Sequence, residues 1–348
     1  MNIKIFRFSI PFRSNLIINN IDLENRQGII VSVSCMGQTG FGEASPLESF
    51  SKETLSDVLW ALEGLIVAVD NCSIGEAREL AKLHLSSAPS AAFAFDTALY
   101  DLEAKINNKA LRYFINAEAL EYISVNALID EDLSLSNKTF KVKLSEKNIF
   151  SLVEKIEVMC GKIKNDSKLR IDFNGGLDLA RSIRLVKEIK HLKDKIEYIE
   201  QPLFNDQFCI EDTSELRLHS DIPIALDETA SSFESIQKIV NYNAADAVII
   251  KPMQCGFFSE IFSIKRLLDD SGIKIIFSSM YDGPVAFQAS LNLASALQID
   301  SCCGYDTIKL FKDKNLFAVK INNGLIEMNS DIGLGIDLNY IKEYVFHD

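Results

Sequence analysis

From residue 121 onward the chain repeats one design, a short apolar run of strand character followed by a stretch with apolar residues at helical spacing. The strand-like runs are ISVNALI, TFKVKL, KLRIDF, KIEYIE, IPIALD, DAVIIK and IKIIFSS, with a weaker eighth around SCCGYDT. Amphipathic segments such as SLVEKIEVMCGKI and DLARSIRLVKEIKHL lie between them. Apolar strands alternating with helices indicate a parallel sheet, and this many units in succession point to a closed barrel. The first part of the chain is patterned differently. Residues 2–10 alternate apolar and polar, residues 29–36 and 39–45 follow, and Gly37, Gly40 and Gly42 break the runs, which predicts an antiparallel meander. Leu55, Val58, Leu59, Leu62, Leu65, Ile66 and Val69 then keep helical spacing, with Ser51 as the expected cap. A further helix is expected to open at Pro89, carry Phe95, Leu99, Leu102 and Ile106 on one face, and stop near Asn107–Asn108. Strand character returns in the tail, AVKINNGLIEMNSDIGLGIDLN.

The expected fold is therefore α/β, a modified (β/α) TIM barrel with an N-terminal α+β capping domain completed by the C-terminal tail. Residues 1–115 form the cap, 116–320 the barrel with the active site, and 321–348 a segment returning to the cap. At 348 residues the chain exceeds the usual size of one compact core, which suits a barrel with an added domain.

The ends of the predicted strands carry the chemistry. Lys143, Asp172, Glu200, Asp227 and Lys251 close successive runs at intervals of 29, 28, 27 and 24 residues, near the ~30 residues of one barrel unit. Side chains at the C-terminal ends of barrel strands converge on one mouth. Lys141 and Lys143, two apart on a strand, point the same way, into the barrel if Phe140, Val142 and Leu144 face the helices. Taken singly, each acid could cap a helix or pair with a base. Together, three carboxylates with no His or Cys among them are hard oxygen donors suited to Mg²⁺. A lysine crowded by another lysine and a metal ion gives up its proton more readily, as a general base must. Asn174 shares a face with Asp172, Glu228 is placed to orient a ligand, and Ser278 and Ser279 end the seventh strand where small side chains leave room for substrate.

Composition narrows the partners. Lys plus Arg is 36 against 49 for Asp plus Glu, a net charge of −13, and no basic stripe interrupts the sequence, so nucleic acid is not an expected partner. A small anionic carboxylate substrate would need the local lysines or a metal ion. No apolar run reaches the ~20 residues of a membrane span, and MNIKIFRFSIPF does not resemble a signal peptide. The seven cysteines, none in a C-x-x-C spacing, read as reduced core residues of a cytoplasmic protein. His84, His191, His219 and His347 fall in predicted helices or the tail, which argues against zinc or histidine catalysis. Neither a dinucleotide or Walker loop nor a GxSxG elbow follows a strand. A homo-oligomer stays open, because every barrel helix has an apolar face for internal reasons.

The set KVK, D-x-N, EQP, DET and KP resembles the enolase superfamily, in its muconate-lactonizing-enzyme-like branch with lysines on barrel strands two and six. GFGEASPLESFS and GLGID extend the resemblance over nearly the whole chain. Within the branch, GYDT at Gly304–Thr307 is similar to the eighth strand of the o-succinylbenzoate synthases of menaquinone biosynthesis; dipeptide epimerases usually carry Asp-x-Asp there, and Gly304 takes the first of those places. The resemblance implies Mg²⁺ (or Mn²⁺) on Asp172, Glu200 and Asp227, with Lys143 and Lys251 as the catalytic pair. It further implies a hydro-lyase that dehydrates 2-succinyl-6-hydroxy-2,4-cyclohexadiene-1-carboxylate. Racemisation of N-acylamino acids or epimerisation of dipeptides, with both lysines as bases, is the alternative, and a non-catalytic barrel that kept its metal site a more distant one. One departure is MYDGPVAF after Ser279, where the family often has a Glu followed by Ser and Gly.

Overall fold

A computed structural model of the chain describes residues 1–18, 21–48, 50–129, 138–146, 148–337 and 342–346. Part of the expected tail, His347 included, lies outside the described residues. The first sheet is an antiparallel meander of β1 (Asn2–Ile18), β2 (Ile21–Cys35) and β3 (Gln38–Ala44), longer than the alternating runs suggested. Three helices follow: α1 (Leu55–Ala68), α2 (Ile74–His84) and α3 (Pro89–Ile106). The cap of α1 is Thr54, not Ser51. Thr54 and Asp57 satisfy each other's backbone N–H groups in a capping box, whereas the Ser51 hydroxyl accepts from Leu47 N at 2.9 Å and closes the turn before it. Helix α2 was not foreseen, because it buries only Ala77 and Ala81 and so has a weak apolar stripe.

Helix α3 is the hinge of the architecture. Thirteen of its eighteen residues are buried, and it lies against β3 so closely that a Cβ at Gly40 would strike the Ala98 carbonyl and one at Gly42 the Ala94 carbonyl. Residues two apart on the strand thus match residues four apart on the helix, and glycine is what lets the two backbones touch. The buried Asp101 of α3 then accepts from Phe41 N at 2.9 Å and Leu334 N at 2.8 Å, and pairs with Lys105 at 2.7 Å. One carboxylate so joins β3, α3 and the GLGID stretch.

After α4 (Leu111–Ile115), the run ISVNALI does not form one strand. It divides into β4 (Tyr122–Ser124) and β5 (Ala127–Leu128), and only β5 enters the barrel sheet. The sheet continues, every pair parallel, through β6 (Thr139–Lys143), β7 (Lys168–Asp172), β8 (Ile196–Glu200), β9 (Ile224–Leu226), β10 (Ala247–Ile250) and β11 (Lys274–Phe277). Helices α5 (Ile149–Lys162), α6 (Leu179–Glu188), α7 (Cys209–Leu218), α8 (Phe233–Asn241), α9 (Pro252–Cys255), α10 (Phe258–Ser271) and α11 (Pro284–Ala296) alternate with these strands. Cys303 and Gly304 bridge the two outer edges, pairing with Val125 and Ser278, so the sheet closes on itself where the sequence shows its weak eighth run. The last short strands are β12 (Ile321–Asn322) and β13 (Leu325–Glu327), which join β4, and β14 (Val345–Phe346), which adds to the edge of β1.

The barrel interior is not uniformly apolar. Arg170, two residues before Asp172 and wholly buried, donates to Glu197 at 2.9 Å, to Asn126 Oδ1 at 3.2 Å and to the Cys302 carbonyl at 2.7 Å, with its guanidinium over the Tyr198 ring. That network plugs the layer beneath the strand ends. All seven cysteines are free thiols; Cys160, Cys209, Cys255 and Cys303 are buried and Cys35, Cys72 and Cys302 are half-buried. Among the described residues no helix is long and apolar enough to cross a membrane.

Candidate active site

Parallel register brings the charged strand ends together. Lys143 on β6 lies opposite Asp172 on β7, and Asp172 opposite Glu200 on β8. Phe140, Val142 and Leu144 pack outward with the core of α5, which turns Lys141 and Lys143 inward. Lys141 extends between two acids, 2.5 Å from Glu200 Oε1 and 3.0 Å from Asp172 Oδ2. Lys143, half exposed, stands 3.8 Å from Asp172 Oδ2. Lys251 is almost fully buried and meets Asp227 Oδ1 at 2.5 Å. Asn174 donates from its backbone N–H to Asp172 Oδ1 at 3.0 Å and from its side chain to Glu228 Oε1 at 3.0 Å.

These side chains line a cavity of about 70 Å³ that opens into a wider mouth of about 670 Å³. Lys141, Lys143, Asp172, Asn174, Asp227, Lys251, Ser278, Ser279 and Gly304 all reach the cavity; Glu200 lies behind it, joined through Lys141. A side chain at position 304 would collide with Ser278 Oγ, so glycine there keeps the wall intact. Sequence reading passed over several lining residues: Leu47 and Phe50 from the cap, Asn126 and Leu128 near the split strand, and Tyr281, Asp306 and Thr307. Of these Asp306 and Thr307 carried a signal, as the last two residues of GYDT, and Tyr281 stood in the departing stretch MYDGPVAF. Gln201 of the EQP motif is a supporting residue: its Oε1 accepts from Asp227 N at 3.1 Å and Thr229 N at 3.3 Å, and its Nε2 donates to Thr229 Oγ1 at 2.8 Å.

Charge sets the chemistry. Burial raises the Glu200 carboxyl to about 8, and the negative charges of Asp172 and Asp227 add to the rise while Lys141 opposes it. Burial works against the Lys141 and Lys251 ammonium groups too, but the acids facing them outweigh it and both are held above the ordinary lysine range. Glu200 Oε2 is buried with no hydrogen-bond partner. The acids of the site stand against lysines. Among the described residues no three His, Cys, Asp or Glu side chains gather into a ready metal-binding group. The donor set nonetheless fits a hard divalent cation: oxygen ligands only, one oxygen unpartnered, and mutual repulsion that a cation would relieve.

Residues 125–342 match the Enolase C-terminal domain-like family. The chain belongs to the enolase superfamily. Its residues 1–102 separately match the family described as MenC, N-terminal domain. Among enolase superfamily relatives, the N-succinyl-L-Arg/Lys racemase of Bacillus cereus is 24% identical over 97% of this chain and 95% of that protein. The o-succinylbenzoate synthase of Aliivibrio fischeri is 27% identical over 89% and 91%. The dipeptide epimerase of Cytophaga hutchinsonii, solved with Mg and the dipeptide D-Ala-L-Val, superposes with a TM-score of 0.84 at 19% identity, covering 99% of this chain and 98% of that one. An enolase superfamily enzyme with a cap and a modified barrel is thus what the sequence, the fold and the relatives agree on.

Proposed function

We propose that the protein is an o-succinylbenzoate synthase, a hydro-lyase of menaquinone biosynthesis. One observation of the cavity carries the reading: every carboxylate that lines it is already paired. Asp172 faces Lys141 and Lys143, Asp227 faces Lys251, and Asp306 accepts from Leu128 N at 2.9 Å and Lys309 Nζ at 2.8 Å. Among the described residues the acid of GYDT is thus engaged by Leu128 N and Lys309, and Gly304 stands where a second acid would be, so neither position is left to receive a substrate ammonium. That disfavours a dipeptide, and the match of the cap to the MenC N-terminal domain favours the cyclohexadiene carboxylate. An N-acylamino acid also lacks an α-ammonium group. Racemisation of such a substrate is the second reading, favoured by the Bacillus cereus relative.

Asp172, Glu200 and Asp227 would hold Mg²⁺, which draws charge from the substrate carboxylate and acidifies the adjacent C–H. Lys143, with its amine at the mouth side of Asp172, takes that proton. The electron pair left on carbon forms the ring double bond as the C–O bond of the 6-hydroxyl breaks. The Lys143 ammonium gives its proton to the departing oxygen, so water leaves and the ring becomes aromatic. Lys251 keeps its proton and stabilises the developing anion by charge and by contact with the π-face of the ring.

Incubation with 2-succinyl-6-hydroxy-2,4-cyclohexadiene-1-carboxylate, followed by ultraviolet absorbance with and without EDTA, tests the assignment. Conversion to o-succinylbenzoate that EDTA stops is the expected result. Deuterium exchange into N-succinylamino acids with no dehydration would replace this reading with the racemase.

A further inference from the structure

Arg26 sits on β2 in the cap, is 3% exposed, and does not line the cavity that holds Lys143 and Lys251. Its guanidinium nevertheless crosses to the barrel. Nε donates to the Tyr281 carbonyl at 2.8 Å, Nη1 to the Pro46 carbonyl at 3.0 Å, and Nη2 to the Ser45 carbonyl. Glu43, on the neighbouring strand β3, accepts from the backbone N–H groups of Gly283 at 2.7 Å, Val285 at 3.0 Å and Ala286 at 3.1 Å. It thereby caps α11, whose own N-cap Gly283 has no side chain to do so. Two cap side chains thus grip residues 281–286 of the barrel from both ends.

The first of those residues lines the cavity and the mouth together. Tyr281 has φ of +57°, a left-handed conformation unusual for a bulky side chain, which persists only where neighbours over-determine it. The Phe12 ring meets it edge-on at 6.4 Å, and Arg26 holds its carbonyl. We propose that Arg26 is a positioning residue for substrate binding: from inside the cap it fixes Tyr281, and so the shape of the wall past which substrate enters. The planar fork of arginine serves three carbonyls at once, and a lysine would reach fewer. Burial works against its charge, and Asp282 and Glu43 oppose that in part.

The choice of probe rests on the function proposed above. Arg26→Met and Arg26→Lys are compared in wild-type and Tyr281→Ala backgrounds, reading KM and kcat with the cyclohexadiene carboxylate and Kd for o-succinylbenzoate by calorimetry with Mg²⁺. Arg26→Met is expected to raise KM and Kd about ten-fold with kcat little changed, and Arg26→Lys to restore part of the loss. In the Tyr281→Ala background the penalty should shrink to within about two-fold, since the residue being positioned is gone. Unchanged KM and Kd, or an equal penalty in both backgrounds, overturns the assignment. Should Arg26→Met fail to fold, Arg26→Lys carries the same cycle. A wild-type protein that neither binds o-succinylbenzoate nor forms it overturns the substrate reading and this assignment together; binding with equal penalties overturns the Arg26 role alone.

Discussion

Lysine enters a barrel interior only in the company of acids, and three such pairings decide what individual residues do here. Lys141 is locked between Asp172 and Glu200 and Lys251 against Asp227, while Lys143 is half exposed at 3.8 Å from its nearest acid. Of the three, Lys143 is the amine with freedom to move a proton. Lys143→Ala should therefore lower turnover by at least ~10³-fold while Mg²⁺ binding, read by calorimetry, persists. Normal activity in that variant would remove Lys143 from the mechanism. Asp282 makes a different prediction. Burial, aided by Glu43 and opposed by Arg26, pushes its carboxyl up to about 7, from an ordinary value of ~4. Below that ordinary value the acid is protonated in folded and unfolded chain alike. As pH rises towards 7 the unfolded chain releases the proton and the folded one retains it, so this group's contribution to stability falls across the window. Asp282→Asn should flatten that slope: the melting temperature of the variant relative to wild type should rise between pH 5 and pH 8. An equal difference at both pH values would contradict it.

Between elements, the closest contact is β3 on α3, and glycine is its condition. Gly42→Ala would drive a methyl group into the Ala94 carbonyl, a backbone atom that cannot rotate away. The variant should lose roughly 2–4 kcal/mol of stability in denaturant titrations, and a loss under ~0.5 kcal/mol would show the helix free to shift. This level also marks where sequence reading succeeds and where it ends. The regular interval between Lys143, Asp172, Glu200 and Asp227 was legible because one strand plus one helix occupies a nearly fixed number of residues. The end of α3 at Ile106 was legible because apolar spacing stops there. The division of ISVNALI was not, since β4 is claimed by β13, just over two hundred residues away. Arg26, Glu43 and Tyr281 were missed for the same reason: their meaning lies in a contact across some 240 to 255 positions, and no local pattern encodes that.

At the scale of the whole molecule, the candidate site is built by both parts of the chain, with the barrel supplying charges and the cap supplying Leu47, Phe50 and the grip on residues 281–286. Since Glu200 Oε2 lacks a partner, a bound cation should stabilise the fold as a whole. Mg²⁺ at a hundred times its Kd is expected to add about 2.7 kcal/mol and raise the melting temperature, an effect that EDTA reverses and Asp172→Asn abolishes. Thermal scans insensitive to Mg²⁺, Mn²⁺ and EDTA would show that the acids serve the lysines alone. The Arg170 network bears on traffic. With Glu197, Asn126 and the Cys302 carbonyl it stoppers the barrel below the reacting layer, while on the other side that layer meets the wider mouth. A molecule departing through that mouth crosses the ground the next one must enter by, so spent and fresh ligand contend there.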